Sequence, residues 1–68
     1  MQDIRKIYGE KLKAFRKGKG LSQEELGYKS SLHRTYISEV ERGRRNISIV
    51  NIAKIAKALG IKIKEFFD

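Results

Sequence analysis

The chain contains no cysteine, no proline and no tryptophan. Without cysteine there is no disulfide and no thiolate zinc site, and the single histidine, His33, cannot assemble a metal site by itself. Those are the staples on which small chains usually rely, and 68 residues lie near the lower limit for a domain that folds alone. Self-association is the staple left. No apolar run approaches the roughly 20 residues a membrane span needs. The N-terminus, MQDIRKIYGEKLK, carries charges where a signal peptide needs its apolar region. The expectation is a cytoplasmic protein of one domain covering residues 1–68. There is also no nucleophile–base–acid set, metal cluster or glycine-rich phosphate loop, so neither an enzyme nor a cofactor is expected.

Acidic residues are scarce as well. Eight Asp and Glu face sixteen Lys and Arg, leaving a net charge of +8. So strong a positive field on so short a chain points to a polyanionic partner, with nucleic acid first and an anionic membrane second. A membrane-binding cationic protein is the weaker alternative, because the charges do not oppose one continuous apolar face.

Apolar residues recur at helical spacing, and no stretch alternates as a strand does. The pattern predicts five helices. The first runs from about Asp3 to Lys17, with Asp3 as cap and Ile4, Ile7, Tyr8, Leu12 and Phe15 as its apolar stripe. The second starts at Ser22, where Ser22 and Glu25 form a capping box, and ends near Lys29. The third spans about His33 to Arg42, with His33 as its cap or resting near the backbone, buries Ile37 and Val40, and stops at Gly43. The fourth begins with Ser48 as cap and ends at Gly60, its inner stripe being Ile49, Ile52, Ile55, Ala56 and Leu59. A short fifth, Lys62 to Phe67, presents Ile63, Phe66 and Phe67.

The second and third helices have the makings of a helix-turn-helix. Gly27 is the small residue that lets the third helix approach. Ser31 fills the turn position that demands positive φ, and Leu26, Leu32, Ile37 and Val40 have the spacing to lock the unit to a core. On the face away from Ile37 and Val40 lie Arg34, Thr35, Ser38 and Glu39, with Tyr36 at its edge.

The run GLSQEELGYKSSLHRTYISEVERG resembles the helix-turn-helix of the Cro/C1 (XRE-type) family. Within that family LHRTYISEVERGRRNISIVNIAKIAKALG is most similar to the controller proteins of restriction–modification systems. The resemblance implies a compact all-α, five-helix, lambda-repressor-like domain. It would bind a palindromic operator in double-stranded DNA as a homodimer, regulate transcription and control its own gene. A phage-type repressor or an antitoxin-like regulator of the same fold is the neighbouring alternative. The chain departs from the family at Gly27, where alanine is usual, and at Ser31, where glycine is usual. Both departures are expected to weaken the fold.

On this reading the third helix enters the major groove. Arg34 is the candidate for a bidentate guanine contact, Thr35 for a thymine methyl or phosphate, and Glu39 for a cytosine amino group or for orienting Arg34. Tyr36 and Ser38 are further candidate contacts. Gln23 at the start of the second helix, and Arg44, Arg45 and Asn46 after the third, are expected on phosphates. The resemblance takes Arg16 out of that set and pairs it with Glu41 in a structural salt bridge. Ile47, Val50 and Phe67 are the expected dimer interface, with Phe66 turned inward. Glu24 and Glu25 are candidates for touching the σ subunit of RNA polymerase.

Overall fold

Short polar side chains start the helices by accepting backbone N–H groups that have no partner within the helix. Asp3 accepts from the Arg5 N–H at 2.9 Å, Ser22 from Glu25 at 3.0 Å, the His33 Nδ1 from Thr35 at 3.1 Å, and Ser48 from Asn51 at 3.1 Å. The Glu25 carboxylate returns the bond to the Ser22 N–H at 2.8 Å. That backbone bond holds Glu25 below its ordinary carboxylate range, so the contribution of the capping box is complete above that range and fades as the pH falls through the lowered value.

The computed structural model describes residues 3–68. Among them are four α-helices: α1 (Ile4–Gly18), α2 (Gln23–Ser30), α3 (Arg34–Glu41) and α4 (Ile49–Leu59). The fifth expected helix is instead a single 3₁₀ turn, Ile63–Phe66. The segment is too short to propagate α-helical bonds, and its Glu65 carboxylate and N–H both close back onto Lys62. The turn works as a plug. Phe66 is fully buried, 4.8 Å from the Tyr8 ring and edge-on to Phe15 at 5.6 Å. Around it pack Leu12, Leu26, Ile37, Val40, Ile52, Ile55, Ala56 and Leu59. Leu32 in the turn is only half-buried against this core.

Three positions of the expected apolar stripes fall outside the core, and Ile7 is one of them, half-buried beside it. Ile4 is 60% exposed and Ile49 65% exposed. Ile4 and Ile49 are each the first residue of their helix, before the helix reaches its packing partners. No helix of the described residues is long and apolar enough to cross a membrane.

The helices are held by backbone contact as much as by side chains. A Cβ on Gly9 in α1 would lie 2.5 Å from the Val40 carbonyl oxygen and 2.7 Å from that of Glu41. A Cβ on Gly27 in α2 would lie 2.6 Å from the Leu32 carbonyl oxygen. Gly27 is therefore a close-packing residue here, and the helix-propensity loss expected from it is offset by that approach. Ser31 does carry strain. It sits at φ 60°, ψ 36°, in the left-handed region, where a side chain costs roughly 1–2 kcal/mol.

Replacing Gly9 with alanine should lower stability to urea by about 1–3 kcal/mol. Gly18→Ala, where an added Cβ would meet no other part of the described residues within 4 Å, should leave it unchanged or raise it by up to about 1 kcal/mol. Ser31→Gly should raise it by about 1 kcal/mol, the relieved strain less the added freedom of the unfolded chain.

Candidate nucleic-acid interface

The two ends of α3 have opposite surroundings. Its C-terminal end is tied down. Glu41 is buried, and its Oε2 accepts from Arg16 Nε at 2.6 Å while its Oε1 accepts from Arg16 Nη2 at 3.0 Å. Arg16 also donates through Nη1 to the Leu21 carbonyl at 2.8 Å. One guanidinium thus joins α1, the loop before α2, and α3. The adjacent carboxylate raises the Arg16 pKa further above its ordinary value and keeps the group charged.

The N-terminal end of α3 is open. Arg34 and Thr35 are exposed and Ser38 half-buried, while Ile37 and Val40 on the opposite side are buried. His33 caps this end, and the Gly27 contact brings α2 close behind it. An exposed helix end with an arginine and a threonine in its first turn has the form of a major-groove reader. Arg44 and Asn46 are exposed in the loop between α3 and α4.

Several expected site residues have partners within the chain. Gln23 donates its amide to Glu41 at 3.1 Å and is half-buried, which draws the side chain inward from the phosphate position expected of it. Glu39 accepts from Arg45 Nε at 3.0 Å. It therefore orients Arg45 and not Arg34, whose Nη1 lies 3.9 Å from Glu24. Tyr36 is half-buried. Its hydroxyl accepts from the Asn51 amide at 3.1 Å, and the Arg45 guanidinium lies 5.0 Å over its ring.

The Helix-turn-helix family model matches residues 12–66. The chain belongs to the helix-turn-helix family. Within the family it is 49% identical over 67 residues to the control protein C.BamHI of Bacillus amyloliquefaciens, covering 97% of this chain and 83% of that one. It is 48% identical over 69 residues to the control protein C.MunI of Mycoplasma sp, covering 100% of this chain and 93% of that one. Among solved structures it is similar to the restriction–modification controller protein C.AhdI from Aeromonas hydrophila. That match has a TM-score of 0.94 and 47% identity, and covers 97% of this chain and all of the other.

The helix-turn-helix unit has an apolar surface beside it. Ile47 is half-buried, and Val50 and Phe67 are 60% and 52% exposed. Ile47 and Phe67 line a cleft of about 190 Å³ together with Ile4, Tyr8 and Ile52. The Tyr8 hydroxyl is buried with no hydrogen-bond partner among the described residues, and burial pushes its pKa well up. Sequence reasoning overlooked Asn51, which links α4 to α3. The available signal was a lone amide within the apolar run IVNIAKIAKAL. It also overlooked Gly9, whose role depends on where the α3 carbonyls end up in space.

Removing one partner of the buried pair leaves an uncompensated charge. Arg16→Met should therefore cost about 3–5 kcal/mol in urea unfolding. The double variant Arg16→Met, Glu41→Leu should recover most of that loss, because it leaves no bare carboxylate inside.

Proposed function

We propose that this chain is a single-domain transcriptional regulator of the restriction–modification controller type, acting as a homodimer on a palindromic operator. The observation that carries the reading is the asymmetry of α3. Its far end is fixed by Arg16 and Glu41, while Arg34 and Thr35 project from its near end. A rigid helix held from behind can present those two side chains to base edges in a reproducible register. The similarity to control proteins along nearly their full length supports the biological role.

On this reading Arg34 reads guanine O6 and N7, and Thr35 meets a thymine methyl or a phosphate. Ser38 and Tyr36 border the contact. Arg44, Arg45, Asn46 and the backbone N–H groups at the start of α2 beside Gln23 hold the phosphates. The exposed apolar surface around Ile47, Val50 and Phe67 is the two-fold interface, which sets two copies of α3 roughly 34 Å apart, one turn of DNA. Doubling the phosphate contacts steepens the salt dependence of binding. The operator lies upstream of the protein's own gene, which gives autoregulation. Glu24 and Glu25 face outward on α2, where an acidic pair suits a basic surface on the σ subunit of RNA polymerase.

Selection from a randomised duplex library tests this. Wild-type protein should enrich inverted half-sites with centres about 10 base pairs apart. Arg34→Ala should lose roughly 10- to 100-fold of the preference per half-site, the equivalent of about 1–3 kcal/mol, and keep weak, salt-sensitive binding. Failure of wild type to enrich any motif would defeat the proposal.

A further inference from the structure

The side of α3 that would approach DNA carries an acid. Glu39 is 42% exposed and holds Arg45, itself 50% exposed, at 3.0 Å. The Arg45 guanidinium also rests over Tyr36, whose hydroxyl is fixed by Asn51. Arg45 thus has a defined resting place on its own chain, away from any phosphate. An ion pair this exposed is weak and open to competition. A carboxylate here repels every phosphate that approaches, so by itself it weakens binding to all duplexes. It becomes tolerable only where the DNA supplies a hydrogen-bond donor to replace the guanidinium. In the major groove the cytosine N4 amino group is such a donor.

We propose that Glu39 is a specificity-determining residue that works by exchange of partners. On unmatched DNA it retains Arg45, because releasing Arg45 to a phosphate would leave the carboxylate bare among phosphates. On matched DNA a base amino group donates to Glu39, and Arg45 is freed to clamp a phosphate. The acid thereby makes one phosphate contact conditional on one base. This inference rests on the DNA-reading function proposed above and adds a mechanism of discrimination to it.

The exchange predicts effects of opposite sign on two duplexes. The probes are a duplex selected from a randomised library by the wild-type protein and a duplex of random sequence, each titrated by fluorescence anisotropy across a salt series. Glu39→Ala should bind the random duplex about 5- to 10-fold more tightly. Its plot of log affinity against log salt should be steeper by about one phosphate contact per protomer. The same variant should bind the selected duplex about 10-fold more weakly, having lost the base contact. Glu39→Gln, which removes the charge and keeps the length of the side chain, should show the same steepening on random DNA. In an Arg45→Ala background, Glu39→Ala should no longer change that slope. Equal shifts on both duplexes, or an unchanged slope on random DNA, would mean that Glu39 acts only through bulk charge and would overturn the exchange. A wild-type protein that does not distinguish the two duplexes would overturn the DNA-reading function itself. Discrimination by wild type that survives intact in Glu39→Ala would overturn this inference alone.

Discussion

The buried pair between Arg16 and Glu41 is the constraint on which the remaining geometry depends. Glu41 is the last residue of α3, where the helix dipole opposes a negative charge. It is stable there because two Arg16 nitrogens and the Gln23 amide all donate to it. Two apolar side chains would fill the same space, but they would not fix a direction, whereas a forked guanidinium on a carboxylate does. Gly9 adds a second constraint at the same end of α3 by letting α1 touch the Val40 and Glu41 carbonyls. With that end fixed, the chain can turn the other end, backed by α2 at Gly27, toward solvent without losing its orientation.

A second polar network lies on the opposite flank. Asn51 on α4 bonds Tyr36 on α3, Tyr36 carries Arg45, and Arg45 bonds Glu39. These links are more exposed and therefore weaker than the buried pair. The first network sets where α3 sits, and the second sets how the loop after it is disposed. Because Asn51 belongs to α4, which also displays Val50, the support of Tyr36 and the proposed interface share one helix.

What was legible in the sequence was local. Capping residues such as Ser22 with Glu25, Ser48 and Asp3 act within three or four positions, so their spacing reveals them. Ser31 was legible for a related reason, since a short turn between two helices leaves one position that must take positive φ. The Arg16–Glu41 pairing spans 25 positions and was accessible only through family resemblance. Contacts that depend on three-dimensional placement stayed hidden. Glu39 finds Arg45 across a loop, Gln23 turns inward, and Gly9 meets a carbonyl from another helix. Ile4 and Ile49 have the correct helical period, but periodicity does not tell where the core stops. The last segment, expected as a short fifth helix, is a single 3₁₀ turn, because Phe66 gives the same apolar signal from either.

The cleft lined by Ile47 and Phe67 belongs to a chain of net charge +8, and that combination makes ionic strength act in two directions. Bringing two such chains together, as proposed, sets like charges against an apolar gain, so added electrolyte screens the repulsion and favours pairing. The same electrolyte weakens attraction to a polyanion. Near the concentration at which copies separate, occupancy of a duplex should therefore pass through a maximum at intermediate ionic strength instead of declining steadily from the lowest.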